Sequence, residues 1–210
     1  MYKLYWRSGT AAFAPQALLE ELGESYEKIL IEQERGADTP EDFRALNPLG
    51  QVPVLELPDG TVISESAAIA IFLADLKPEL ELAPAHDDPQ RAVYLRWMVF
   101  LAAQLYQNFR HIYHTDDYSG DAGHYEEMLS TAKRNLEHDW ATVEQALTPG
   151  PYFLGDRFSA VDIYFSMFPD WHWDRDGLVA RYPNIARLCE LVLARPAVMR
   201  IHGEHSPDGA

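Results

Sequence analysis

The pattern of hydrophobic and polar positions in the first half of the N-terminal region changes its period every few residues, which predicts short alternating strands and helices. The helix predicted over residues 40–46 must end near Asn47 and Pro48, because the residue before a proline avoids the helical conformation. The predicted elements are, in order, a strand over residues 2–6, a helix over 15–23, a strand over 27–32 and a helix over 40–46.

The next segment predicts a β-hairpin followed by a helix. Residues 52–57 and 61–63 have strand character, and the turn Pro58-Asp-Gly between them has Gly60 to supply a positive φ angle. Residues 65–76 then show apolar positions at helical spacing. The order β-α-β-α-β-β-α is typical of a small sheet covered by helices. We therefore predict a thioredoxin-like domain over residues 1–80.

The rest of the chain predicts helices without strands. Residues 77–90 are rich in proline and acidic residues and have no sustained period, which is typical of a linker. The predicted fold class is thus α+β: a thioredoxin-like N-terminal domain followed by an all-α helical bundle over residues 88–205. Its predicted helices cover residues 91–114, 125–147, 159–168 and 185–193.

Charge and composition narrow the classes of function. The chain has 33 acidic and 17 basic side chains and a formal charge of −16, which disfavours nucleic acid and membrane surfaces as partners. No apolar stretch approaches the roughly 20 residues that span a bilayer, and the first residues do not resemble a signal peptide. The single cysteine, Cys189, lies in an apolar helical run and predicts buried packing. These features favour a soluble protein of the reducing cytoplasm.

The most informative motif is Asn-Pro-Leu-Gly-Gln-Val-Pro-Val-Leu at residues 47–55. Pro53 lies at the start of an apolar strand, although a proline cannot donate a ladder hydrogen bond. A cis Val52–Pro53 bond would resolve this conflict and turn the Val52 backbone outward, where it can pair with an extended, peptide-like ligand.

Glu65 and Ser66 stand at the predicted start of the next helix. The unpaired N–H groups and the positive dipole end of a helix N-terminus attract a carboxylate, and the Ser66 hydroxyl adds a donor. A serine at such a position, Ser64 or Ser66, is more often a simple helix cap when it is considered alone. Together with the upstream Val-Pro, it predicts a ligand site.

In this order and spacing, the motifs over residues 47–55, 58–60 and 65–69 resemble the cytosolic glutathione S-transferase superfamily, bacterial type. The resemblance runs from Leu4 to about Val198 and implies glutathione as the substrate, no metal and a homodimer. It implies that Val52 and Pro53 bind the cysteinyl backbone of glutathione and that Glu65 and Ser66 hold its γ-glutamyl end. It further implies that Gln51 lies near the glycine end.

A second match to the family begins at Leu154, in the run Leu-Gly-Asp-Arg-Phe-Ser-Ala-Val-Asp-Ile. Ser159 and Asp162 have the spacing of a capping box, in which each residue bonds to the backbone of the other. We interpret both residues as structural, not catalytic.

The loop after the first strand departs from the family pattern. The cysteine and serine of the bacterial beta-type pattern fall on Ala11 and Ala12. Three hydroxyls remain as candidates for stabilising the glutathione thiolate, which is the nucleophile; in order of preference they are Thr10, Ser8 and Tyr5. The alternative is that none of them contacts the sulfur, so that a backbone N–H stabilises the thiolate or glutathione binds without turnover.

The predicted helix over residues 91–114 places several aromatic side chains on one face. For this helix the resemblance implies a wall of the electrophile pocket, and the alternative is bundle core or a dimer surface. The candidates for the pocket are Phe13, Tyr106, Phe109, Arg110 and Tyr113. The tryptophans Trp171 and Trp173 predict packing or a pocket wall. His111, His114 and His172 lack a further ligand at metal-binding spacing, so no metal is predicted.

Three functions follow from the resemblance. The first is a glutathione transferase of the detoxification type, which activates the glutathione thiolate for attack on a hydrophobic electrophile. The second is a zeta-like, glutathione-dependent isomerase. The third is a non-catalytic glutathione-binding or interaction protein, which Ala11 and Ala12 favour. Reduction through an enzyme cysteine is disfavoured, because Ala11 occupies the position where that cysteine would stand.

Overall fold

The computed structural model describes residues 1–32 and 39–205. Its N-terminal domain is a four-stranded sheet of order β2-β1-β3-β4, covered by helices. The elements are β1 Tyr2–Trp6, α1 Phe13–Leu22, β2 Tyr26–Leu30, α2 Glu41–Leu46, β3 Val54–Glu56, β4 Val62–Ser64 and α3 Ser66–Asp75. The predicted β-α-β-α-β-β-α order is confirmed.

The sheet is mixed, because β1 pairs in parallel with β2 and antiparallel with β3. Leu4 and Leu55 lie opposite each other and are fully buried under α1 and α3. The turn between β3 and β4 has the predicted form: Gly60 has φ +87° and the Leu57 N–H donates to the Thr61 carbonyl. β3 is therefore an inner strand, paired with β1 on one side and β4 on the other.

The C-terminal part of the chain is helical, as predicted. Its longest rod begins at Arg91 and is continuous through a π-helical turn over residues 101–105. Two short helices, α8 and α10, have no counterpart among the predicted ones. The helices are α4 Arg91–Phe100, α5 Tyr106–Tyr113, α6 Tyr125–Ala146, α7 Ala160–Ser166, α8 Arg175–Arg181, α9 Pro183–Leu193 and α10 Pro196–His205. Among the described residues, no helix has the length and apolar character needed to cross a membrane.

The predicted capping box opens α7 and is confirmed. The fully buried Asp162 carboxylate accepts the Ser159 N–H at 2.7 Å and the Phe153 N–H at 3.0 Å. Burial raises the pKa of Asp162 to about 7, although these donors act against the rise. The box fixes the start of α7, and with it the position of the residues that α7 directs toward the first domain.

The two domains share one continuous hydrophobic core, which runs from Leu4 in β1 to Ile201 in α10. The Arg91 guanidinium forms a bidentate pair with the Asp75 carboxylate at 2.6 and 2.7 Å, which joins α4 to the end of α3. At the other end of the molecule, α10 packs back against α1. The two domains are therefore joined by the contacts of α3 with α4 and of α1 with α10.

Candidate functional site

Two adjoining cavities lie in the cleft between the domains. The smaller, of about 280 Å³, we name the polar groove, and its walls include Gln51, Pro53, Glu65, Ser66 and Tyr164. The larger, of about 460 Å³, we name the aromatic cavity, and its walls include Thr10, Phe109, Tyr113 and Trp171. The residues that line both are Gln51, Val52, Tyr106 and Arg110.

The loop before β3 forms one wall of the polar groove. Its Val52–Pro53 peptide bond is cis. Asn47 holds the loop in shape, because its side-chain amide donates to the Gln51 carbonyl at 2.8 Å and its side-chain oxygen accepts the Leu49 N–H at 3.3 Å. An asparagine at the end of α2 therefore sets the path of the residues that face the groove.

The start of α3 forms the opposite wall. Glu65 precedes the helix with φ +67° and ψ +105°, a conformation that residues with a Cβ seldom adopt. The first intrahelical bond runs from the Ile69 N–H to the Glu65 carbonyl, so the preceding N–H groups have no partner within the helix. Glu65 supplies no side-chain cap to them. An anion in the groove would meet these donors and the positive end of the helix dipole.

Ser66 is the first residue of α3, and its hydroxyl lies 2.9 Å from the phenol oxygen of Tyr164 on α7. Both residues are buried and both line the groove. The structure thus brings together the five residues expected to hold glutathione, and adds Tyr164, which no sequence signal indicated.

Rings from α5 and the following segment form the aromatic cavity. Tyr106 lies 5.3 Å from Trp171 between ring centroids, and Phe109 meets Trp171 edge to face at 5.7 Å. The Tyr113 hydroxyl donates to the Trp171 carbonyl, and burial raises the pKa of that hydroxyl. These contacts fix the wall before any ligand enters.

Arg110 stands at the boundary between the two cavities. Its guanidinium donates to the Tyr118 hydroxyl at 2.8 Å and to the Asp117 carboxylate at 3.2 Å. It lines the aromatic cavity with Tyr106, Phe109 and Tyr113, the other α5 residues expected there from the family resemblance, and its position allows contact with a ligand in either cavity.

The three hydroxyls considered for the thiolate occupy different environments. Thr10 lines the aromatic cavity, and its hydroxyl donates to the Arg7 carbonyl at 2.7 Å. Tyr5 lines neither cavity: strand alternation directs it away from Leu4, and its hydroxyl donates to Glu56 at 3.1 Å. Ser8 also lines neither cavity, and its buried hydroxyl has no partner among the described residues.

Phe13 lies outside the aromatic cavity. It begins α1, is buried, and meets the rings of His202 and His205 edge to face at 6.4 and 5.6 Å. Both histidines belong to α10, which the sequence did not predict. The contact spans almost the whole chain, so no local pattern could have indicated it.

Two further ionisable side chains in the wall of the aromatic cavity, Asp170 and His172, already have hydrogen-bond partners within the protein. The Asp170 carboxylate at the rim of the aromatic cavity pairs with Arg175 at 2.7 Å and His202 at 3.2 Å. Burial lowers the pKa of His172 in the same wall. Within residues 1–32 and 39–205, no group of three or more acidic, histidine or cysteine side chains is arranged to hold a metal ion.

This arrangement defines a class of protein: a thioredoxin-like domain with a peptide-sized polar groove, joined to a helical domain that adds an aromatic cavity. Family models specify the class further. Residues 14–76 match the N-terminal domain of glutathione S-transferase and residues 101–190 match its C-terminal domain, together more than half of the chain. The chain belongs to the glutathione S-transferase superfamily, and the resemblance inferred from the motifs is confirmed.

Individual relatives extend over nearly the full length. The chain is 27% identical to glutathione S-transferase GstA of Escherichia coli O157:H7, over 93% of this chain and 94% of the relative. It is 26% identical to a maleylacetoacetate isomerase of Dictyostelium discoideum, over 97% and 93%. A solved glutathione transferase homologue from Sulfitobacter with bound glutathione superimposes with a TM-score of 0.84 at 27% identity, over 96% and 97% of the two chains.

Proposed function

We propose that this protein is a glutathione transferase, which binds glutathione in the polar groove and directs its thiolate at a hydrophobic electrophile in the aromatic cavity. The observation that carries the proposal is the common wall of the two cavities, formed by Gln51, Val52, Tyr106 and Arg110. A ligand of the groove and a ligand of the cavity meet at this wall. The glutathione bound to the Sulfitobacter homologue supports the identity of the first ligand.

Each part of glutathione has a complementary part of the groove. The γ-glutamyl carboxylate suits the Ser66 hydroxyl and the start of α3, and the Glu65 carboxylate suits the γ-glutamyl ammonium group. The cysteinyl backbone suits Val52 and Pro53, beside Gln51 toward the glycine end. The cysteinyl sulfur then points to the wall that the cavities share.

In the reaction, the thiol loses its proton and the thiolate forms a C–S bond to the electrophile. In a substitution the leaving group departs with the bonding electrons, whereas in an addition the neighbouring carbon takes up a proton. A pKa lower by about two units would make most of the thiol reactive at neutral pH. Thr10 supplies a donor when its hydroxyl rotates from the Arg7 carbonyl toward the sulfur. The alternative donor is a backbone N–H of the same loop, where the Ala12 and Phe13 N–H groups already donate to the Thr10 hydroxyl and carbonyl.

Calorimetric titration with glutathione tests the groove, and thiolate absorbance near 240 nm, followed from pH 5 to 9, tests activation. We expect Ser66→Ala to weaken glutathione binding about tenfold. Thr10→Val should raise the pKa of the bound thiol by about one unit while leaving binding intact. The matched controls are Ser130→Ala and Thr142→Val on α6; Thr142, like Thr10, donates its hydroxyl to a backbone carbonyl.

The results of these titrations distinguish a catalytic from a non-catalytic glutathione-binding protein. Absence of glutathione binding would overturn the proposal. Binding with a thiol that titrates as it does in water would favour the non-catalytic glutathione-binding reading, which the alanines at positions 11 and 12 support. An unchanged thiol pKa in Thr10→Val would assign thiolate stabilisation to the backbone.

Similarity to a maleylacetoacetate isomerase favours a second function, in which the thiolate adds to a cis double bond and leaves after rotation, so that glutathione is regenerated. Arg7 and Arg110 in the walls of the aromatic cavity suit a substrate with carboxylates. Isomerisation of maleylacetoacetate without consumption of glutathione would identify this activity.

The proposal includes a cytoplasmic location and a homodimer. The single cysteine of the chain, Cys189, is buried, and burial raises the pKa of its thiol to about 12, so it is a packing residue in keeping with a reducing compartment. Family resemblance and an exposed apolar face on α4, which includes Leu95 and Val99, support the homodimer. Localisation of a tagged full-length chain by fractionation would test the compartment.

A further inference from the structure

A buried hydrogen bond crosses the domain boundary at the polar groove. It joins the Ser66 hydroxyl at the start of α3 to the Tyr164 hydroxyl on α7 at 2.9 Å, across 98 positions of sequence. Ser66 is 6% exposed and Tyr164 is 0% exposed. Either oxygen can be the donor in the free protein.

We infer that Tyr164 is a positioning residue, whose hydroxyl donates to Ser66 and so presents the Ser66 proton to the γ-glutamyl carboxylate of glutathione. This inference rests on the proposed function. It assigns to the helical domain a part in holding glutathione, through a residue that acts by way of Ser66.

Counting protons gives the direction of the bond. Among the described residues, Ser66 is the single hydrogen-bond partner of the Tyr164 hydroxyl, and Tyr164 is that of Ser66. A Tyr164 proton directed anywhere else would be buried without an acceptor, which is unfavourable. The Ser66 proton has an alternative acceptor as soon as a carboxylate occupies the groove.

The reverse direction is unfavourable in the complex. If Ser66 donated to Tyr164, the lone pairs of Ser66 would face the lone pairs of the ligand carboxylate. The chain from Tyr164 to Ser66 to the carboxylate instead aligns three polar groups, each of which strengthens the next in a site of low dielectric. Burial raises the pKa of Tyr164, so its hydroxyl remains a donor across the physiological range.

The helical domain holds the Tyr164 hydroxyl in place. The capping box of Ser159 and Asp162 fixes the first turn of α7, two residues before Tyr164. The Tyr164 ring packs edge to face against Phe168 at 5.7 Å. The orientation of the Ser66 hydroxyl therefore depends on the position of α7, although Ser66 belongs to the other domain.

The test is a double-mutant cycle in the full chain, with glutathione binding measured by calorimetry. Tyr164→Phe keeps the ring and removes the hydroxyl, and we expect it to weaken glutathione binding about fivefold to tenfold. In a Ser66→Ala background the same change should alter the affinity less than twofold, because the group that Tyr164 positions is gone. The matched control is Tyr94→Phe, which removes another buried tyrosine hydroxyl, one without a hydrogen-bond partner among the described residues.

A second ligand separates positioning from general damage to the fold. In 4-aminobutyryl-cysteinylglycine the γ-glutamyl carboxylate is missing and the rest of glutathione is kept. Tyr164→Phe and the unmodified chain should bind this ligand with equal affinity. A merely structural role for Tyr164 would weaken both ligands alike.

Three results would overturn the inference while leaving the proposed function intact: unchanged glutathione affinity in Tyr164→Phe, an equal loss in the Ser66→Ala background, or an equal loss for the ligand that lacks the carboxylate. The second of these would indicate that Tyr164 contacts glutathione directly. Failure of the unmodified chain to bind glutathione is a different outcome, which overturns the proposed function and the inference with it.

Discussion

At the scale of single residues, Glu65 has the most unusual backbone of the non-glycine residues in the described part of the chain. Its φ of +67° and ψ of +105° lie outside the regions that residues with a Cβ ordinarily populate. Such conformations cost on the order of 1–3 kcal/mol and are concentrated at functional sites. The position lines the polar groove, so the strained backbone and the expected ligand contact belong to the same residue.

Glycine at this position should separate the strain from the contact. We expect Glu65→Gly to have a free energy of unfolding about 1 kcal/mol higher than Glu65→Gln, because glycine tolerates the positive φ and part of that gain is lost to the entropy of the unfolded chain. Both variants should bind glutathione at least tenfold more weakly than the unmodified chain. Urea unfolding and calorimetry measure the two effects. A Glu65→Gly chain less stable than Glu65→Gln would show that the position is not strained.

Residues of the site could be predicted from the sequence where the cause was local. Tyr106, Phe109 and Tyr113 share a wall because helical spacing places them on one face. Tyr164 was not predicted, because its contact with Ser66 depends on how two domains pack. Strand alternation places Tyr5 on the face of the sheet opposite to Leu4, which enters the main core, and Tyr5 lines neither cavity.

At the scale of elements, the structure shows how α10 is held. His205 is buried and its Nε2 lies 2.7 Å from the Gln16 side-chain oxygen on α1, while its Nδ1 has no partner among the described residues. The imidazole packs beside the Trp6 ring at 5.1 Å. Burial, with the Lys28 ammonium, lowers the pKa of His205 to about 4, although the Glu204 carboxylate acts against this shift.

This histidine makes the docking of α10 sensitive to acid. The unfolded chain binds a proton near pH 6.5 and the folded chain only near pH 4, so stability is lost as the pH falls through this window. Between pH 7 and pH 4.5 the unmodified chain should lose about 2 kcal/mol more stability than His205→Gln. Urea unfolding at the two pH values measures the difference. The control is His86→Gln at an exposed position, and equal losses in all three chains would contradict the prediction.

The elements differ in how far the sequence could predict them. The sequence predicts the strands and helices of the first domain because turn residues such as Gly60 and Pro48 delimit them locally. The sequence does not predict helix α10, because Gly203 interrupts its apolar pattern and because its stability comes from packing against α1. Helix α8 contains Gly177 and depends on a cap by Asp174, whose carboxylate accepts the Gly177 N–H at 3.0 Å.

At the scale of the whole molecule, an apolar stripe on the continuous helix formed by α4 and α5 is exposed to solvent. Leu95 is 37% exposed and Val99 is 59% exposed, and Ala92 and Ala103 continue the same helical face at exposed positions. This apolar face on a chain of charge −16 supports the proposed homodimer, since a two-fold axis can pair one patch with itself.

A charge in this stripe should dissociate the proposed homodimer. We expect the unmodified chain to sediment as a dimer and Val99→Glu to sediment as a monomer at micromolar concentration, because pairing would bury the introduced carboxylate. Met199→Glu is the matched control, since Met199 is 60% exposed on α10, away from the stripe. A Val99→Glu chain that remains dimeric would exclude this face as the interface, and a monomeric unmodified chain would remove the homodimer from the proposal.

The division of the cleft into two cavities has a consequence for how such a protein diversifies. Most side chains of the aromatic cavity come from α5 and the segment around Trp171, whereas most of the polar groove comes from the loop before β3 and the start of α3. Under the proposed function, substitutions of helical-domain residues that line the aromatic cavity alone would exchange one acceptor molecule for another and leave glutathione binding unchanged. The exceptions are the helical-domain residues that line the polar groove: Ala102, Tyr106, Gln107, Arg110, Tyr118 and Tyr164.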